Sequence, residues 1–313
     1  MEIVSQAPCR VSLFGGGTDL PEFSSKYGGF CLNMAINIRQ KMEIECDTTE
    51  DQFGNLTFPV GGNERFYKTI MNEMGVSERE MGIEAVFDGE LTGGLGSSAA
   101  AAVCLVGTIN KYKSLGMSRA GIAERAWEIE VNRLGLYGGR QDQNCAAFGG
   151  VNGMEFRGDR VTVLPLDRRF VEELYPSLVL FHLGFNRKDP KIQEGFKNLI
   201  QEQVFYLTQI KELVIEATLY IGEGDIEAVG KLLDKSWELK KKSNKGVGNN
   251  RFEEVLKRAK DLGVWGGKIC GAGSGGYCIF MIDPDKRQKL IDELGIKWVD
   301  FDIDWQGLDC RIL

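Results

Sequence analysis

Residues 89–102 read GELTGGLGSSAAAA, with four glycines in the eight residues 89–96 and two serines just before an alanine run. Glycine is costly in ordered backbone, so this density calls for a chemical reason. An alanine run favours a helix. A helix N-terminus presents unpaired N–H groups and the positive end of the macrodipole. Glycines let backbone close around a cluster of oxygens, so Gly93, Gly94, Leu95, Gly96, Ser97 and Ser98 read as a cradle for a polyphosphate. A tight turn with a serine N-cap is the plainer alternative. GLGSSA and GAGSGG (271–276) also fit the glycine pattern of dinucleotide folds. However, the first does not open a clean β–α–β unit, and the second runs straight into YCIFMI, a strand pattern. No G-x-x-x-x-G-K-[ST] occurs, so the loop lacks its usual lysine. The cation must come from elsewhere.

A hydroxyl and a carboxylate can hold Mg²⁺ between phosphates. Ser98 supplies the hydroxyl; Glu124, Glu128 and Glu130 in AERAWEIEVNRLG are candidate carboxylates, each alternatively a solvated helix charge. Asp142 in YGGRQDQNCAAFGG stands where a loop enters a small-residue helix, as a reactive carboxylate or as an N-cap. In PCRVSLFGGGTDL, Arg10 lies on a strand and Asp19 follows three glycines; a surface arginine and a plain helix cap are the alternatives.

The elements around these residues follow from the pattern. Residues 2–14 read as one or two strands, a short helix runs to about 26, and 31–60 is β-like. Helices are expected at 64–74, 97–112, 118–134, 190–220, 225–242 and 250–262, with strands at IEAVFD, VNGMEF, RVTVLPL, LVLFHLG, GGKIC, GYCIFMI and IKWVDFDI. The change to long helices near residue 170 predicts two domains, 1–170 with the phosphate loop and 171–313. At 313 residues, 43% hydrophobic and net charge −7, the chain reads as an ordinary globular protein and not as a nucleic-acid binder relying on bulk positive field. His182 is the only histidine, which removes multi-histidine metal sites and leaves a Ser-His-Asp hydrolase no other choice of base. Eight cysteines without a C-x-x-C pair read as reduced thiols, pointing to the cytoplasm. Neither a signal peptide nor a membrane span of about 20 residues is expected.

Three blocks, PCRVSLFGGGTDL, GGLGSSAAAA and KICGAGSGGYCIF, resemble in order and spacing those of the GHMP small-molecule kinases, over nearly the whole chain. Within that superfamily GGGTDLPEF, YGGRQDQNCAAFGGVNG and GDIEAVGKLLDKSWELKK are most similar to D-glycero-D-manno-heptose 7-phosphate kinases and their fucokinase-like relatives. The resemblance implies an α+β, two-domain fold, with an N-terminal half like ribosomal protein S5 domain 2 and a ferredoxin-like C-terminal half. It implies ATP around 93–98, Mg²⁺ on Ser98 and Glu130, Asp142 as the catalytic aspartate and Arg10 beside it. Gly17, Thr18, Asp19 and Gly273 would border the sugar, and Gly271 to Gly276 would buttress the loop.

The activity implied is ATP-dependent phosphorylation of the anomeric hydroxyl of a heptose 7-phosphate. An unphosphorylated fucose- or galactose-type acceptor and a non-catalytic sugar and ATP sensor are the rivals. There are two departures: GELTGG lacks a proline that relatives often carry, and GFNRKDP, a segment expected to border the sugar, is not the arginine-serine pattern of heptose 7-phosphate kinases, which bears on the sugar's identity. A phosphorylated acceptor needs cations, for which Arg140 and the Arg187–Lys188 pair are candidates because arginine suits bidentate phosphate binding, whereas Lys240 to Lys242 read as ordinary cations at a helix end.

Overall fold

The computed structural model describes residues 1–46, 64–77, 81–88, 93–184 and 195–313. The first sheet is built on two long strands, β1 (Glu2–Phe14) and β2 (Gly29–Cys46), paired antiparallel. β2 is long enough to serve two further partners. Its residues 40–46 pair β3 (Met81–Phe87), and residues 29–34 pair β4 (Val151–Arg157), which pairs β5 (Arg160–Pro165). Across this sheet lie α2 (Glu64–Glu73), α3 (Ser97–Tyr112), α4 (Arg119–Asn132) and α5 (Gln141–Phe148). α3 is the central one. Every residue from Ala99 to Ile109 is buried, and its small side chains let the helix pack against strands and helices alike. α1 (Pro21–Tyr27), with proline at its start, closes the turn between β1 and β2.

After α6 (Arg168–Leu174) comes a second antiparallel sheet of β6 (Leu178–His182), β7 (Gly266–Ile269), β8 (Tyr277–Met281) and β9 (Lys297–Val299), ordered β7-β8-β6-β9. α7 (Gln201–Glu223) packs on α8 (Ile226–Ser243) and on β1 and β2, while α8 and α9 (Asn250–Asp261) pack on the second sheet, and α10 (Arg287–Glu293) follows β8. One continuous apolar core runs through both halves. The arrangement is α+β, as the resemblance implies.

Several expectations are corrected in detail. The helix expected over 190–220 begins at Gln201 and runs to Glu223, where Gly224 in the left-handed region ends it. IKWVDFDI forms a strand only at Lys297–Val299. A strand not foreseen, β10 (Asp309–Ile312), returns the chain to the first sheet and pairs with β1, Ile3 opposite Ile312 and Gln6 opposite Asp309. The first sheet therefore draws on both ends of the sequence, and a cut at residue 170 separates β10 from its partner.

Candidate active site

The glycine loop is folded by its neighbours. Gly94 and Gly96 have φ of +102° and +72°, a region that only glycine enters at little cost. Gly96, not a serine, is the N-cap of α3, and no side chain caps that helix, so its first-turn N–H groups face outward without a side-chain acceptor. Two bonds from Arg10 on β1 hold the loop: its backbone N–H donates to Leu95 O at 2.9 Å and its Nη1 to Gly94 O at 2.7 Å. From the other side, a Cβ on Gly271 would lie 2.8 Å from Gly94 Cα, so the third glycine block presses directly on the loop.

Asp142 sits in the first turn of α5, whose N-cap is Arg140, so Asp142 is not a cap. Arg10 grips its carboxylate with both ends of the guanidinium, Nε to Oδ1 at 2.7 Å and Nη2 to Oδ2 at 2.6 Å. Burial alone would lower the arginine pKa, but the Asp142 charge and hydrogen bonds more than offset it and hold Arg10 protonated. Asp142 is 29% exposed against 7% for Arg10, so the carboxylate keeps an open side toward the cleft. A Cβ on Gly96 would come within 3.1 Å of Asp142 Oδ2, which places the carboxylate at the start of α3.

The three glutamates of α4 have separate partners. Glu124 pairs with Arg140, Glu128 with Arg125, and Glu130 accepts from Ser98 Oγ at 2.6 Å and Gln143 Nε2 at 2.7 Å. Burial pushes the Glu130 carboxyl up to about 7, opposed by the Ser98 and Gln143 hydrogen bonds. Gln143 Oε1, in the same cluster, is buried without a hydrogen-bond partner. Hydroxyl, carboxylate and amide oxygens are the donors a hard divalent cation takes, so these residues fit Mg²⁺ alongside phosphates.

Asp19 is held by the N–H groups of Gly17 at 3.1 Å and Gln141 at 3.3 Å. Burial, with Asp142 nearby, raises its pKa against those two bonds. Only glycine fits at 139, where a Cβ would collide with Asp19 Oδ2. Arg10, Asp19, Gly96, Ser98, Glu130 and Asp142 line one cleft of about 360 Å³, with Gly17 at its wall. Lys240 from α8 also lines it, a residue whose position at a helix end concealed its role.

Other expected residues lie elsewhere. Arg140 does not face the cleft. Its guanidinium stacks 3.5 Å from the Trp127 ring centre and bonds Glu124 and Asp159, so its charge is already spent within the fold. Thr18 Oγ1 donates to backbone carbonyls of Gly15 and Phe30, fixing the β1–α1 turn. Gly273 packs on Val247 and Trp237, behind the cleft wall. His182 is buried in β6 beside the Tyr277 ring, away from the site. Arg187 and Lys188 lie outside the described residues, as do residues 89–92 of the loop segment. No helix among the described residues is long and apolar enough to cross a membrane.

Comparison with known proteins gives this cleft a lineage. A D-glycero-alpha-D-manno-heptose 7-phosphate kinase from Campylobacter jejuni is 30% identical over 318 residues, covering 93% of each chain. A mevalonate kinase from Pyrococcus furiosus is 24% identical over 95% of this chain and 93% of its own. The crystal structure of a D-glycero-D-manno-heptose 1-phosphate kinase from Bacteroides thetaiotaomicron superposes with a TM-score of 0.79, 27% identity and 99% coverage of both chains. The GHMP kinases N terminal domain matches residues 64–150 and the GHMP kinases C terminal family matches 214–300. The chain thus belongs to the GHMP kinases, enzymes that move a phosphoryl group from ATP to an alcohol.

Proposed function

We propose that the protein phosphorylates the anomeric hydroxyl of D-glycero-D-manno-heptose 7-phosphate with Mg-ATP. The observation that carries the chemistry is the Asp142 carboxylate, clamped by Arg10 and set at the N-terminus of α3 beside the Ser98–Glu130 contact. The acceptor oxygen forms a bond to the terminal phosphorus of ATP, the bond from that phosphorus to the bridging oxygen breaks, and its electron pair leaves on ADP. The acceptor proton passes to Asp142. Arg10 orients Asp142, while the α3 N–H groups and the loop backbone receive phosphate oxygens. Asp19 accepts hydrogen bonds from acceptor hydroxyls and aligns one of them on Asp142. Ser98 and Glu130 would hold Mg²⁺, which neutralises phosphate charge when bound. The unpaired thiols among the described residues agree with action in the cytoplasm.

The heptose phosphate assignment rests on the names of the relatives, which differ on where that heptose already carries phosphate. One observation favours a second reading, an unphosphorylated sugar. Arg140, a natural partner for a substrate phosphate, is occupied by Glu124 and Trp127. ADP release across a panel of sugars and sugar phosphates with Mg-ATP decides between them. Heptose 7-phosphate should give a kcat/KM at least about tenfold above the same heptose without phosphate. Equal values, or faster turnover of fucose or galactose, would remove the phosphosugar and leave the kinase.

A further inference from the structure

Three lysines in a row, Lys240 to Lys242, close α8, an ordinary arrangement where cations meet the negative end of the helix dipole. Two behave that way: Lys241 pairs with Glu238 and Glu253, and Lys242 is exposed. Lys240 turns inward. It is 9% exposed, and it lines the cleft with Arg10, Asp19 and Asp142. Its Nζ donates to Gly271 O at 2.5 Å, and among the described residues it makes no ion pair with a carboxylate. An ammonium has three donors, so two remain for another acceptor. Burial, reinforced by the Arg10 charge, pulls its pKa down to about 8. A buried cation without an anionic partner opposes folding unless something else receives it.

The position shows what that something is. Gly271, whose carbonyl holds the ammonium, is the residue that presses on Gly94 of the loop. Gly94 O in turn accepts from Arg10 Nη1. The two cationic heads therefore flank one junction between the second and third glycine blocks. Arg10 is matched by Asp142, and Lys240 is not. We propose that Lys240 is the cation missing from the glycine loop: its ammonium contacts a non-bridging oxygen of the phosphoryl group in transfer. This rests on the cleft being the phosphoryl-transfer site and not on which sugar accepts. In such a transfer, charge is spread over the non-bridging oxygens in the transition state, where a fixed cation acts most strongly. A lysine brought by helix α8 of the second half thus replaces one that other phosphate loops carry within their own sequence.

The test compares nucleotides that differ by the group in question. Calorimetric titration without acceptor should show Lys240→Met binding Mg-ATP about tenfold more weakly, with Mg-ADP within about twofold of wild type. With heptose 7-phosphate, kcat should fall at least about a hundredfold. Lys240→Arg, which keeps the charge, should recover most of the ATP preference. On the wild-type chain, reductive methylation read at Lys240 by mass spectrometry should be blocked by a non-hydrolysable ATP analogue with Mg²⁺ and not by Mg-ADP. Equal weakening of both nucleotides would make Lys240 a packing residue, and unchanged affinities would remove it from the phosphate site. A rise confined to the KM of a phosphorylated acceptor would assign it to the acceptor's own phosphate; each result overturns the proposal. If the wild-type chain does not turn over heptose 7-phosphate, the nucleotide comparison still stands, because it uses no sugar.

Discussion

Asp142 meets Arg10 through both of its oxygens, so removing its charge does two things at once. Asp142→Asn loses the proton acceptor and places an amide NH₂ against a guanidinium. Its kcat should fall by about two to four orders of magnitude, with Mg-ATP affinity little changed. Retention of more than a tenth of wild-type kcat would remove Asp142 from the chemistry. Glu130→Gln keeps the contact with Ser98 in shape but not in charge, so more Mg²⁺ should be needed for half-maximal rate. A titration overlaying wild type would return Glu130 to the fold. Arg140→Ala should act on stability instead, costing about 2 kcal/mol through the lost charged hydrogen bonds and ring stacking. Its kcat/KM should stay near wild type, and a selective loss on phosphorylated sugars would put Arg140 back in the acceptor site. The residue types were legible in the sequence, but the pairings of Arg10 with Asp142 and of Ser98 with Glu130 came only from the resemblance, not from spacing. Glu124, Glu128 and Glu130 look alike along one helix, and only the residues across from them separate a structural ion pair from the contact with Ser98. Lys240 stayed hidden for the same reason, since a cation at a helix end already has an explanation.

Elements with strong local signals were readable from the chain. The alanine run and its glycine start gave α3 its bounds, and Gly224 marks the end of α7. Elements held by distant partners were not. β10 has only four residues, and its place depends on β1 some three hundred positions earlier. Why a third glycine block exists also becomes plain only in three dimensions, because Gly271 is a spacer against Gly94. Gly271→Ala would put a methyl group into that junction at a φ of +64°. The loop must then shift away from α3, so KM for ATP should rise about tenfold while circular dichroism keeps the wild-type spectrum. An unchanged KM would show that the loop holds its shape without that support.

Across the whole molecule, a second buried lysine ties the halves together. Lys268 on β7 donates to the carbonyls of Ser12 and Leu13 on β1, at 2.8 and 3.0 Å. Burial, with Lys240 nearby, lowers its pKa to about 7, well under its ordinary value of 10.5. Above about pH 7 the folded chain therefore releases a proton that the unfolded chain keeps. That stabilising contribution is present at high pH and is lost as pH falls through about 7. Against Lys268→Met, wild type should gain on the order of 1 kcal/mol per pH unit between pH 7 and 9, measured by urea unfolding. A constant difference would mean that Lys268 stays protonated in the folded state. β10 has a consequence of a different kind, in time. As the chain leaves the ribosome, the edge of β1 from Ile3 to Gln6 has no neighbour until residues 309–312 have been made. Through most of synthesis the first sheet thus offers an unpaired strand edge on which another nascent chain could dock. A fragment ending at residue 170 would keep that exposed edge permanently. Supplying a peptide of residues 305–313 in trans should recover it from aggregates, which makes the short strand a detachable seal.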